Sequence, residues 1–197
     1  VETYMSATTH GHNDDTLAGR LSRATDVSVT RCYQCGKCTA GCPMAEEMDY
    51  TPSHILRLLQ VGLDGFEDRV LRAYSPWVCL TCEMCYARCP QEVDIPKMMD
   101  FLRAESVRLK KVNPRAKDFV SLHKTFLDSI HYVGRLYEVG LIAGYKARSW
   151  HLFQDVLMAP KLFFKGKLKL FPHLIKNRKN MSQIFKKAGT ARTEAAK

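Results

Sequence analysis

The sequence predicts an all-α fold, and three observations carry that expectation. Apolar residues recur every three or four positions in stretch after stretch. N-capping residues and prolines stand where those stretches begin. No run of alternating apolar and polar residues marks a strand. The length of 197 residues suits one domain with an extension, and a hydrophobic fraction of 46% suits a chain that buries a core.

Residues 1–28 are polar and mixed in charge, with turn-formers at His10, Gly11, His12 and Asn13, and are expected to be a flexible or partner-bound arm. The first helix signal is Thr51-Pro52, an N-cap followed by proline at the first helical position. Behind it Ile55, Leu58, Leu59 and Leu63 form an apolar stripe, loosened by Gly62 and Gly65. A short helix is expected from Phe66 to Tyr74, closed by Ser75-Pro76. Asp94 caps a longer helix running to about Lys111, with Met98, Phe101, Leu102 and Leu109 on its buried face. Asn113-Pro114 marks a boundary. From Lys117 to about Ala147, the spacing of Phe119, Leu122, Phe126, Ile130, Val133 and Leu136 or Tyr137 predicts one or two amphipathic helices, with Gly134, Gly140 and Gly144 as breaks. A further helix is expected over Ser149–Met158, then a basic and apolar tail that frays from about Gly189. The chain thus divides into an arm (1–28), a first helical domain (29–112) and a basic helical C-terminal region that docks on a partner (113–197).

All eight cysteines fall in two tight groups. Cys32, Cys35, Cys38 and Cys42 precede Pro43; Cys79, Cys82, Cys85 and Cys89 precede Pro90. Each reads C-x-x-C-x-x-C-x-x-x-C-P, and the second repeats the first 47 residues on. This is the run that holds a [4Fe–4S] cluster in ferredoxins of the bacterial type. Three cysteines two residues apart let a short loop curl round a cube of iron and sulfide. The fourth lies beyond, past a turn, and in two-cluster ferredoxins it ligates the other cluster. The expected assignment is therefore crossed: Cys32, Cys35, Cys38 and Cys89 for cluster 1, and Cys79, Cys82, Cys85 and Cys42 for cluster 2. Zinc also takes four thiolates, but its sites usually pair two C-x-x-C knuckles. Small residues inside the runs, Gly36, Ala40, Gly41 and Ala87, fit a tight loop or admit backbone N–H groups to the sulfurs. Arg31 and Lys37 flank the first run, Glu83 and Arg88 the second, so cluster 1 is expected to be the easier to reduce.

The formal charge of +10 invites acidic partners, although eight thiolates offset up to eight positive units. There is no stretch of about 18 apolar residues to cross a membrane and no apolar centre near the N-terminus to act as a secretory signal, so a cytoplasmic chain is expected. The cysteine spacing in a chain of this size favours a metal framework over disulfides. No G-x-G-x-x-G, phosphate loop or H-E-x-x-H occurs. With every cysteine committed to metal no thiol nucleophile remains, and no catalytic residue is expected in this chain.

RCYQCGKCTAGCP, WVCLTCEMCYARCP and VDIPKMMDFLR, over about residues 29–111, closely resemble the C-type polypeptide of heterodisulfide reductase and its bacterial relatives. The resemblance implies an α-helical ferredoxin domain with two [4Fe–4S] clusters. It also implies two partners: a B-type subunit with cysteine-rich catalytic domains, and an A-type subunit with flavin and iron–sulfur clusters. The chain would pass single electrons between them and bind no small-molecule substrate of its own. The iron–sulfur subunits of succinate dehydrogenase and glycolate oxidase are similar in the helical module. However, the former carry an additional [2Fe–2S] domain and the latter a fused cysteine-rich half, and neither is present here.

The alternative is an iron–sulfur subunit of a membrane-associated, quinone-linked respiratory oxidoreductase. It draws on the tail Lys161–Lys187, where Phe163, Phe164, Leu168, Leu170 and Phe171 interleave with lysines. Docking on an acidic partner protein explains the same composition and is preferred. Nucleic-acid binding is not expected, because two ferredoxin runs in series speak for electron flow.

Overall fold

The computed structural model describes residues 15–149, with 165, 180–181 and 183–188. Among the described residues the structure is helical and contains no strand. The expected helix at 149–158 and nearly all of the basic tail lie outside these residues, as do residues 1–14. The chain separates into two compact units, Val1–Asn113 and Pro114–Lys197.

The first unit opens with α1 (Leu17–Thr25). Thr16 caps it, its hydroxyl accepting from Gly19 N at 3.1 Å. Here the structure departs from the expected arm. Leu17 and Leu21 are fully buried, and Val27 and Val29 join the same core. Leu17 N donates to Glu67 Oε1 at 2.6 Å. The short apolar content of this segment is all on one face, so a helix of nine residues docks where composition alone reads as a tail.

A 3-10 turn (Val29–Arg31) leads into the first cysteine run, whose end forms α2 (Lys37–Ala40). Next come α3 (Pro52–Val61) and α4 (Asp64–Leu71). α3 starts at Thr51-Pro52 as the sequence predicts. The Thr51 side chain makes no capping bond, and the carbonyl of Thr51 instead accepts from Ile55 N at 3.0 Å. Gly62 ends the helix at φ +65°, a left-handed conformation that glycine adopts at no steric cost. Ser75-Pro76 opens a helix rather than closing one: α5 (Ser75–Val78) delivers the chain into Cys79, with proline in the first turn. The second run forms α6 (Met84–Ala87), and α7 (Ile95–Arg108) follows. Asp94 caps α7 as expected, accepting from Lys97 N at 3.0 Å.

The core of this unit joins Ile55, Leu56 and Leu59 of α3 to Ile95, Met98, Met99 and Leu102 of α7, with α1 packed across them and Val70 of α4 alongside. Cys38 and Cys85 are part of the same buried cluster. The two cysteine loops are therefore mounted on the core.

The second unit contains α8 (Lys117–Val133) and α9 (Glu138–Ser149), packed on each other. Gly134 ends α8 at φ +85°. Gly140 and Gly144 do not break α9. A Cβ on Gly144 would come within 2.6 Å of Thr125 Cγ2, so glycine there lets the helices approach closely. Arg148 reaches back to Thr125 Oγ1 at 2.6 Å and Asp128 Oδ2 at 2.7 Å.

Candidate iron–sulfur site

The two cysteine runs adopt the same backbone. In the first, Gln34 and Gly36 have φ of +62° and +77°; in the second, their counterparts Thr81 and Glu83 have +50° and +61°. Left-handed residues on both sides of Cys35 and of Cys82 curl each loop around its middle cysteine. A one-turn helix follows in both, α2 and α6, and these pack on each other. The sequence repeat is thus also a repeat of conformation. Three of these four positions hold non-glycine residues in a region that L side chains avoid, which is characteristic of a site held by its surroundings.

The thiols are arranged by depth. Cys38 and Cys85 are buried, Cys35 and Cys82 are exposed, and Cys32, Cys42, Cys79 and Cys89 lie between. Cys42, Cys79, Cys82 and Cys85 line one small cavity, walled by Met44, Met48, Pro52, Leu80, Ile95 and Met99 among others. Cys42 belongs to the first run, and it stands with the three leading cysteines of the second. At the other run, the Tyr33 phenol is held above its usual range by desolvation and then by the charges of Cys35, Cys89 and Cys32. Cys89 therefore lies within electrostatic reach of the same side chain as Cys32 and Cys35. Cys32 opens on a groove with Thr30, Tyr33, Gln34, Arg57 and Gln60. Among the described residues no three His, Cys, Asp or Glu side chains converge closely enough to hold a single metal ion.

Burial sets the state of the free thiols. It pushes the Cys38 and Cys79 thiols up, and the Cys85 thiol up to about 12, with the neighbouring Cys79 adding to the effect there. At Cys79 the Thr81 N–H and the Arg103 charge act in the opposite direction. Thiols of this kind are protonated near neutrality, and iron must displace the protons when it binds. Four thiols around an apolar cavity, on loops bent to present them, fit a [4Fe–4S] cube.

Hydrogen bonds support each run. Gln34 N and Gln34 Nε2 approach Cys32 Sγ at 3.4 and 3.5 Å. Val93 N donates to Cys89 Sγ at 3.3 Å. Arg103 of α7 donates to the carbonyls of Pro76 and Cys79, and pairs with Asp100 at 2.6 Å. Asp49 stands in the loop after the first run, yet it accepts from Tyr74 N at 2.7 Å, from Ser75 N at 2.9 Å and from the Ser75 hydroxyl. It thereby holds the start of α5 and the entry to the second run. Gln34, Gln60, Asp49 and Arg103 have no signal in the sequence, because each also bonds to a partner on another element.

The small residues have separate roles. Gly36 has open space around it and serves its left-handed backbone. Gly41 lies under the Arg88 side chain, which would meet an added Cβ at 2.6 Å. Arg88 thus reaches from the second run across the first.

A family model described as a 4Fe-4S dicluster domain matches residues 28–93. Over 93 residues the chain is 39% identical to the second C-type iron-sulfur polypeptide of CoB–CoM heterodisulfide reductase from Methanocaldococcus jannaschii, covering 46% of this chain and 48% of that protein. Over 78 residues it is 42% identical to the C-type iron-sulfur polypeptide of the same enzyme from Methanopyrus kandleri, covering 40% and 38%. It is 31% identical over 107 residues to the C-type polypeptide of the H(2):CoB-CoM heterodisulfide,ferredoxin reductase of Methanothermobacter thermautotrophicus, covering 54% and 56%. The match spans about half the length of these relatives or less. No described helix is long and apolar enough to cross a membrane. The chain therefore carries a 4Fe-4S dicluster domain over residues 28–93, and over that stretch it is similar to the C-type polypeptides of heterodisulfide reductases.

Proposed function

We propose that this chain is the electron-transfer subunit of a heterodisulfide-reductase-like complex, holding two [4Fe–4S] clusters and linking an A-type flavin and iron–sulfur subunit to a catalytic B-type subunit. Cys32, Cys35, Cys38 and Cys89 hold cluster 1; Cys79, Cys82, Cys85 and Cys42 hold cluster 2. When bound, each cluster supplies a one-electron step. The chain's own residues supply position, burial and charge. The observation that carries the reading is Cys42 in one cavity with Cys79, Cys82 and Cys85.

The exposed edges support a relay. Cys35 and Cys82 face solvent, and beside them Tyr33 and Leu80 are 57% and 61% exposed. Apolar side chains next to a solvent-facing ligand give a partner protein a surface that excludes water beside each cluster. In this reading the catalytic step belongs to the B-type partner.

The test is anoxic reconstitution of the full chain with iron and sulfide. About eight irons per chain are expected. Cys42→Ser and Cys82→Ser should alter one and the same spectroscopic signal, and Cys89→Ser and Cys35→Ser the other. Pairing of Cys42→Ser with Cys35→Ser instead would establish local ligation and overturn the crossed assignment. Anaerobic co-purification of the A-type and B-type subunits tests the partners.

A further inference from the structure

We propose that Gln60 is a positioning residue for cluster 1: it holds the side-chain amide of Gln34 on the Cys32 sulfur and so raises that cluster's reduction potential. The inference rests on the ligation of cluster 1 given above.

Gln60 lies in the last turn of α3. Its Nε2 donates to Val29 O at 2.9 Å and to Cys32 O at 2.6 Å, and its Oε1 accepts from Gln34 Nε2 at 3.2 Å. Both amide protons of Gln60 are thereby used on backbone carbonyls. Turning this amide over would set its oxygen against those two carbonyl oxygens, so its orientation is fixed by the segment that leads into the run. With Gln60 Oε1 facing Gln34, the neighbouring amide must present its nitrogen. That nitrogen lies 3.5 Å from Cys32 Sγ, while the Gln34 backbone N–H lies at 3.4 Å. Polarity therefore passes in one direction, from two carbonyls through two amides to a ligand sulfur.

The second run keeps the grip on the two carbonyls but not the side-chain amide on the sulfur. Thr81 replaces Gln34 in the repeat, with the same left-handed backbone, and its hydroxyl donates to Leu80 O at 2.7 Å. Arg103 holds the matching carbonyls, Pro76 O and Cys79 O, as Gln60 holds Val29 O and Cys32 O, but a guanidinium has no acceptor oxygen with which to orient a neighbouring amide. Cys79 has the backbone donor of Thr81 and the nearby Arg103 charge. The side-chain amide donor belongs to cluster 1.

An added electron makes the ligand sulfurs better acceptors, so a donor held on one of them stabilises the reduced state more than the oxidised state. Gln60 does not touch the sulfur. It acts by removing the freedom of Gln34 to turn away or to present its oxygen, which would have the reverse effect.

The test is a redox titration of the anoxically reconstituted full chain, followed by the two clusters' spectroscopic signals, with the cluster 1 signal identified by Cys35→Ser. Gln34→Met and Gln60→Met keep side-chain length and remove the amides. Each should lower the equilibrium constant for reducing cluster 1 by about three- to tenfold, where tenfold is about 59 mV for one electron. The cluster 2 midpoint should stay in place. The double variant should match Gln34→Met alone, because Gln60 acts through Gln34. An unmoved cluster 1 midpoint, equal shifts of both clusters, or additive effects in the double variant would overturn the proposal. Should Gln60→Met fail to load, the half-exposed Gln34→Met still decides between a shifted and an unshifted midpoint. A wild-type chain far short of eight irons would sink the two-cluster reading itself, whereas full iron with unmoved midpoints defeats only the role of Gln60.

Discussion

Asp49 and Glu83 show two ways in which single residues shape the second run. Burial alone would push the Asp49 carboxyl up, but bonds from the Ser75 hydroxyl, Tyr74 N, Ser75 N and Tyr50 N outweigh it and hold the group below the usual carboxylate range. A depressed folded value means that the stabilisation is present above the unfolded value near 4 and is lost as pH falls through the folded one. Urea midpoints of the full chain should therefore decline below about pH 4, and Asp49→Asn should flatten that decline. The side chain is partly exposed, so Asp49→Ala is expected to cost only about 1–2 kcal/mol near neutrality. Glu83 carries the left-handed backbone that Gly36 carries in the first run. Glu83→Gly should stabilise the unloaded chain by up to about 1 kcal/mol, read as a higher urea midpoint, since glycine adopts that conformation without a Cβ clash. Neither role is legible in the sequence. The Tyr74 and Ser75 partners of Asp49 lie some 25 positions away, and the Glu83 backbone shows only when the repeats are superposed as structures rather than as letters.

Among the elements, α3 and α7 are readable because Thr51-Pro52 and Asp94 mark their starts and the apolar positions behind them keep helical spacing. The first helix is not, since nine residues with two leucines offer too few repeats to separate from a polar tail. Its anchorage is partly ionic: Glu105, a charged residue in the midst of α7, is buried and accepts from Arg20 Nε at 3.2 Å and from Arg108 at 2.6 and 2.7 Å. The hydrogen bond from Arg108 is the chief reason its carboxyl lies below the usual range, which places Glu105 in the same acid-sensitive window as Asp49. Leu21→Ala empties a fully buried position of α1 and should cost about 2–5 kcal/mol, measured as a fall in the chemical denaturation midpoint. In the second unit, the stripe Phe119, Leu122 and Phe126 lies on α8 as expected, but each remains about 40% exposed. Period alone locates a face and cannot say how completely another surface covers it.

For the molecule as a whole, the eight candidate ligands can be read from spacing alone, since a C-x-x-C-x-x-C-x-x-x-C-P run contains its own ligand set. The supports that hold those loops belong to the tertiary fold and stay hidden. Chelation of iron from the loaded chain should lower its thermal midpoint and broaden the transition, because the buried Cys38 and Cys85 then return to thiols inside the core. The reverse step takes up base: loading should proceed faster at pH 8 than at pH 6.5, since protons must leave thiols that burial holds high. The placement of Cys42 in the second run's cavity has a further consequence for how such a chain could arise. On the crossed ligation proposed above, a half-length ancestor bearing one run would direct three thiols inward and its last one outward, leaving its own centre one ligand short. Two copies laid face to face would complete each other, and joining them end to end would make that mutual repair permanent within one gene.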